Sequence, residues 1–229
     1  MITVPGKIAR AGGRTVIVPE LAIDREITRQ EIQTVEIRLF DGREISPEQR
    51  RKIFAIIGDI AWYSGHEPEY LRKLLTLEFV KDKGCEFFSL SNCEKSTATD
   101  FISWLIDFCF RWCVPTEDTL LMQADDIGKY LYSCLEHRKC AVCNAPADLH
   151  HVEAVGMGRD RNQIIHEGMQ AMALCRKHHI EAHLMGQKSF DEKYHIYGIR
   201  LDAYLCGRLN LKEENIWYAK MFEMRMVDT

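Results

Sequence analysis

Two chelating pairs constrain this chain more than any other feature. Cys140-Ala-Val-Cys143 and Cys175-Arg-Lys-His178 each carry two metal donors separated by two residues. That spacing lets both side chains of a pair hold one ion, and two pairs make the tetrahedral donor set of a structural zinc. Beside this frame stand His150, His151, His179 and His183. A zinc takes four ligands and the segment offers eight candidates, so the surplus asks for a second centre. Leu149-His150-His151-Val152 reads as a strand, whose alternation puts His150 and His151 on opposite faces. The residues after Cys175 lead into a helix. There His179 and His183, four apart, share a face as a pair of metal ligands requires.

Bulk properties narrow the setting. The 229 residues suffice for one large domain or two small ones, and 46% hydrophobic content is ordinary for a globular protein. With 30 basic and 34 acidic residues the net charge is −4, so contact with nucleic acid has to come from local patches or from metal ions. Nine cysteines, an odd number, and no apolar run in Met1–Gly6 argue against a secreted disulfide framework. A reducing cytoplasm is expected. The longest apolar stretch, Phe101–Phe110, is broken by Asp107 and is too short to span a bilayer, so no membrane partner is expected.

Patterning along the chain predicts an α+β fold. Thr15–Val18 and Thr34–Leu39 alternate β-branched and polar residues, with Gly12-Gly13 as a turn signal, which predicts a small sheet over about residues 1–40. Ser46-Pro47-Glu48-Gln49 combines an N-cap serine, a first-turn proline and a glutamine at the third helical position. The helix it opens should run to about Tyr63, bury Ile53, Ile56, Ile57 and Ile60, and stop at Gly65. On this reading Phe54 belongs to the core. Further helices are expected over about 68–81, 99–113 and 125–136, with an extended piece at Cys85–Leu90. The chemistry changes at His137-Arg138-Lys139, which marks the expected domain boundary, with domains at 1–137 and 138–229.

The order Cys-x-x-Cys, His-His-Val, Leu-Cys-x-x-His-His resembles the HNH (ββα-metal) endonucleases that carry a structural zinc, over about residues 138–200. The resemblance implies a general base at His151 and a catalytic divalent ion, Mg²⁺, Mn²⁺ or another, held by His150 and His179, with His183 as a third ligand. Cys140, Cys143, Cys175 and His178 would hold Zn²⁺. A neutral imidazole suits a base working near neutral pH. Two departures stand out. The middle asparagine of the family motif is replaced by Gln170, which carries the same amide on a longer arm, and Asn162 and His166 stand in the preceding segment. His178 replaces a cysteine, which leaves an acceptable three-thiolate, one-imidazole set. Arg159 and Arg161 form a basic loop between the motif halves, placed to touch phosphate; Arg176 and Lys177 can act alike. His195 reads as structural or exposed.

Ser46–Asp59 is similar to the NinB/Orf family of phage recombination proteins, in its serine, glutamine, Arg51-Lys52, aromatic, alanine and Gly58-Asp59. This likeness implies a homodimer that binds single-stranded DNA and assists a recombinase on strands coated by single-strand-binding protein. Gln49, Arg51 and Lys52 become candidate DNA contacts. The two resemblances together imply an HNH endonuclease cutting single-stranded or branched DNA in phage recombination or replication, in the host cytoplasm. The competing class is a non-enzymatic recombination mediator whose zinc module only binds. The two share the zinc ligands and differ at His150, His151 and His179.

Overall fold

A computed structural model describes residue 4 and residues 6–30, 43–152 and 166–211. The expected strand Thr34–Leu39 and the candidates Arg159, Arg161 and Asn162 lie outside the described residues. The architecture is a mixture of helices and two small sheets.

The chain begins with a hairpin of β1 (Gly6–Ala11) and β2 (Arg14–Pro19), paired Gly6 to Pro19 through Ala11 to Arg14. Gly12 and Gly13 have φ of 57° and 75°, the doubly left-handed turn whose twist suits a two-residue connection. Both faces of this ribbon are exposed. A short helix α1 (Asp24–Gln30) follows.

The helical core is built from α2 (Pro47–Ser64), α3 (Pro68–Lys83) and α4 (Lys95–Arg111), then the single turn α5 (Leu120–Gln123) and α6 (Ile127–Glu136). The expected caps form. Ser46 accepts from the Gln49 amide while the Gln49 side chain accepts from the Ser46 N–H, and Gly65 and Gly84 close α2 and α3 in the left-handed region. Helix α4 starts four residues earlier than its periodicity suggests, because Glu94 supplies an extended N-cap position just after the Asn92-Cys93 turn. Cys85–Leu90 forms no strand. Its Phe88 instead packs edge-on against Phe79 and Phe101.

The buried face of α2 is Ile53, Ile56, Ile57, Ile60 and Ala61, packed on α4. Phe54 is not among them. It lies 48% exposed on the opposite face with Arg51 and Trp62, so the core assignment is corrected: the helical period that buries Ile53 and Ile57 turns position 54 outward. Asp107 on α4 accepts from Ser133 Oγ at 2.8 Å and lies 2.7 Å from His137 Nε2, which clamps α4 to the end of α6. The same carboxylate pairs with Arg111, and Glu136 accepts from the Tyr204 hydroxyl, so this acidic cluster is consumed by its own partners.

Past His137 the chain forms a three-stranded antiparallel sheet in the order β3 (Asp148–His151), β4 (Gln170–Leu174), β5 (Ile199–Arg200). Helix α7 (Arg176–Met185) follows β4 directly; α8 (Gln187–Tyr194) and α9 (Ala203–Arg208) were not anticipated by periodicity and complete the described chain. The buried side chains before and after His137 belong to one cluster, in which α6 packs on β4. Two bonds weld the junction: Tyr130 OH donates to the Ala141 carbonyl at 2.9 Å, and the Ala141 N–H donates to the Ala173 carbonyl at 2.9 Å. Among the described residues no helix is long and apolar enough to cross a membrane.

Candidate metal centres and active site

Helix α7 carries two chelating clusters on adjacent residues. The first joins Cys140, Cys143, Cys175 and His178, whose donor atoms all lie within 4.8 Å of one another. Cys143 Sγ is 3.7 Å from Cys175 Sγ. His178 Nδ1 is 3.3 Å from Cys140 Sγ and 3.2 Å from Cys175 Sγ. Zinc–sulfur bonds of about 2.3 Å at a tetrahedral angle put two sulfurs roughly 3.8 Å apart, so the donor set fits a zinc ion. The fit includes electronics. Burial pushes the Cys140 thiol up, whereas at Cys175 the same burial is outweighed by the N–H groups of Lys177 and His178 at the start of α7, which hold that thiol down.

The Cys140–Cys143 loop is set by its neighbour Asn144. With φ of 58°, Asn144 occupies the left-handed region and returns its N–H to the Cys140 carbonyl at 2.9 Å. Its side chain then donates to Tyr130 OH at 2.7 Å and accepts from the Leu120 N–H at 2.7 Å. The metal loop is thus anchored to α5 and α6, not only to its ion.

The second cluster joins His150, His179 and His183, again with donor atoms within 4.8 Å. The ring centroids of His150 lie 4.7 Å from His179 and 5.2 Å from His183, and His179 and His183 are 4.7 Å apart. Burial, helped by neighbouring imidazoles, keeps His150 and His179 below the ordinary imidazole value and so in the neutral, ligating form. A side chain that the sequence did not point to orients His150. Gln187 Nε2 donates to Asp191 at 2.7 Å, which turns Gln187 Oε1 toward His150 Nε2 at 2.9 Å. An amide oxygen only accepts, so His150 Nε2 carries the proton and its Nδ1 lone pair is left for an ion. Three imidazoles with no thiolate suit a borderline divalent ion and leave coordination positions for substrate or water.

His151, the next residue of β3, turns away from this trio. Its Nε2 lies 3.2 Å from Nδ1 of His166, and its Nδ1 is enclosed with no hydrogen-bond partner. Burial holds His151 and His166 below the ordinary imidazole value. Gln170 opens β4, and its backbone carbonyl accepts from Val152 at 3.0 Å. Among the described residues its side-chain amide makes no bond to His151; the ring that reaches the base is His166. Gly198 makes room for this strand end, since a Cβ there would sit 2.3 Å from Val152 Cγ2.

The candidate DNA contacts on α2 divide. Gln49 is 1% exposed, and its Nε2 donates to the Lys95 carbonyl, Thr99 and Asp125, so it is a buried brace and not a phosphate contact. Lys52 has a side chain 16% exposed and paired with Asp125 and Glu48; the same buried carboxylate claims it. Arg51 is exposed. Near the metal clusters, Arg176 and Lys177 are exposed at the start of α7, and Arg176 is close enough to act electrostatically on His179. His195 is exposed and closes α8 in the left-handed region.

The family described as "Putative HNHc nuclease" matches residues 20–212, most of the chain. The chain belongs to this family. The match runs through both the helical core and the metal-binding segment, and it makes the nuclease assignment of the chain independent of the short motif. No curated protein and no solved structure matches the chain.

Proposed function

We propose that this HNH-family chain is a metal-dependent endonuclease that hydrolyses DNA phosphodiester bonds, with Zn²⁺ in the cysteine-rich frame and a second divalent ion, Mg²⁺, Mn²⁺ or similar, at His150, His179 and His183. The observation that carries the reading is the meeting of those three imidazoles beside His151, on two antiparallel strands and the following helix. An ion bound there supplies Lewis-acid stabilisation to the phosphate and the departing 3′-oxygen. The chain's own residues do the rest. His151, neutral near pH 7, takes a proton from the attacking water. Arg176 and Lys177, exposed beside the trio, hold the flanking phosphates. Gln170 stiffens the strand end through its main chain, and Arg159 and Arg161 remain candidates for phosphate contact from the intervening loop.

Residues 1–137 are proposed to bind single-stranded DNA and to pair as a homodimer. Support comes from α2, where Arg51, Phe54 and Trp62 share an exposed face, Trp62 being 79% exposed: a cation between two rings on which bases can stack. This reading, with the NinB/Orf resemblance, sets the cleavage in phage recombination or replication, in the host cytoplasm beside a recombinase or single-strand-binding protein.

The test is purified protein with Mg²⁺, Mn²⁺ or Ni²⁺ on labelled single-stranded, duplex and branched DNA, wild type beside His151→Ala. The variant should cut about 10²–10⁴-fold more slowly, the usual cost of losing a general base, with zinc content and DNA binding unchanged. Equal cleavage by wild type and variant would sink the nuclease mechanism and favour a module that only binds.

A further inference from the structure

His151 uses one ring nitrogen and leaves the other idle. Nε2 faces His166 Nδ1 at 3.2 Å, with the ring planes 22° apart and the centroids 5.1 Å apart. Nδ1 of His151 is enclosed and has no partner. A neutral imidazole has one N–H and one lone pair, so the contact between the rings must have one donor and one acceptor. There are two ways to assign it. If His166 Nδ1–H donates, His151 carries its own proton on Nδ1, where a buried N–H is left without an acceptor. Orphaned buried N–H groups are rarer than under-used acceptors, and leaving one unpaired costs about 1–3 kcal/mol. If His151 Nε2–H donates, the idle Nδ1 is a bare lone pair. That atom then has the polarity to receive a proton from water.

We propose that His166 is the positioning residue of the base: its Nδ1 accepts the Nε2–H of His151, fixes the tautomer, and leaves His151 Nδ1 as the atom that takes the proton. The proposal rests on the nuclease reading for the role of His151 and goes beyond it in naming the reacting nitrogen and the group that selects it. In the step it serves, an O–H bond of water breaks and its proton goes to His151 Nδ1. The water oxygen bonds phosphorus, and the 3′-oxygen leaves with the electrons of its P–O bond and is protonated by solvent. The imidazolium so formed keeps its Nε2–H bond to His166, which is then charge-assisted and about twice as strong as its neutral counterpart. The contact therefore favours the protonated base and not only the resting one. Gln170 does not compete for the task, since its printed bond is from its main chain to Val152.

Two variants separate positioning from bulk. His166→Asn places an amide oxygen near the site of ring Nδ1 and keeps an acceptor. His166→Phe keeps a flat ring and removes the acceptor. The phenylalanine variant should lose about 10–100-fold in kcat with KM and zinc content unchanged, the usual scale for an outer-shell partner, while the asparagine variant stays within a few-fold of wild type. A second readout needs no catalysis. Long-range ¹H–¹⁵N correlation spectra of the full chain, labelled at histidine, should show His151 protonated on Nε2 in wild type and in His166→Asn, and as a mixture of tautomers in His166→Phe. A wild-type His151 protonated on Nδ1 overturns the proposal. So does a phenylalanine variant with wild-type kcat, or equal losses in both variants. If wild type cuts no DNA under any ion, the nuclease reading fails, and the tautomer still decides the contact.

Discussion

His178 and His179 are neighbours on one turn of α7 and serve two different centres. His178 faces three thiols and is buried. His179 faces two imidazoles and is partly open. The difference in donor type separates holding from acting. Thiolates neutralise the charge of a zinc ion and fill its tetrahedron, so the first centre has no position to offer a substrate. Neutral imidazoles leave the charge of an ion uncancelled, and three of them leave coordination positions empty. One helix therefore spends one residue on fixing itself to the Cys140 loop and the next on presenting a reactive ion. The second centre can only be as well ordered as the first makes it.

That dependence gives the largest expected effect. Cys175→Ser removes a zinc ligand at the residue that caps α7. Structural zinc sites supply about 10–16 kcal/mol in small metal-dependent modules, as much as the whole stability of many domains. The variant should purify with little zinc and lose cooperative unfolding of the segment after residue 138, read by metal analysis and thermal circular dichroism. It should also lose tight binding at the His150, His179, His183 trio, although no ligand of that trio has changed. A zinc-free variant that melts like wild type would show that the anchoring by Asn144 and Tyr130 suffices, and the dependence of one centre on the other would fall.

The converse change should not propagate. His183→Ala deletes one imidazole of the trio from the partly exposed face of α7. Cleavage should fall by more than the roughly 10–100-fold typical of an outer-shell change, and should recover in part as Mn²⁺ is raised, because a lost ligand weakens the ion's affinity before its chemistry. Zinc content and melting temperature should stay at wild-type values. Loss of zinc in this variant would mean that the two centres form one cooperative cluster. His151→Ala should show no recovery with Mn²⁺, since what it lacks is a base.

The sequence spoke clearly where the physics is local. The capping box at Ser46 and Gln49, the glycine stops at Gly65 and Gly84, and the left-handed pair Gly12-Gly13 depend on neighbours within a few residues, and each forms as expected. Ligand spacing is local too, which is why the eight metal-seeking side chains could be named before their sorting into two centres was visible. What could not be read depends on distant partners. The Gln49 amide that resembles a DNA contact is consumed by Lys95, Thr99 and Asp125, 46, 50 and 76 residues away. His166 and Gln187 become neighbours of His151 and His150 only after the sheet and α8 are in place. Phe54 is a different case. The spacing of Ile53, Ile56, Ile57 and Ile60 already assigns the opposite face to position 54, and its hydrophobicity outweighed its phase in the reading.

The smallest effect tests the outer shells. Around the thiolates these are main-chain N–H groups: those of Val142, Cys143 and Cys175 reach Cys140, and those of Lys177 and His178 reach Cys175. No side-chain substitution deletes a backbone donor, so the outer shell of the frame is insensitive to point mutation. The trio differs, because His150 is oriented by one side-chain amide, Gln187, itself held by Asp191. In Gln187→Ala the imidazole of His150 loses the acceptor that keeps its proton on Nε2. The tautomer with Nδ1 protonated, which cannot ligate through that atom, becomes accessible. Affinity for Mn²⁺ should weaken by about 10–100-fold, measured by calorimetry on zinc-loaded protein, with zinc retained at wild-type stoichiometry. Gln187→Glu returns an acceptor to His150 but sets a second carboxylate against Asp191, so it should recover less than the full affinity. Wild-type Mn²⁺ affinity in the alanine variant would mean that packing against His179 and His183 alone orients His150, and the contrast between a main-chain shell and a side-chain shell would not explain the division of labour on α7.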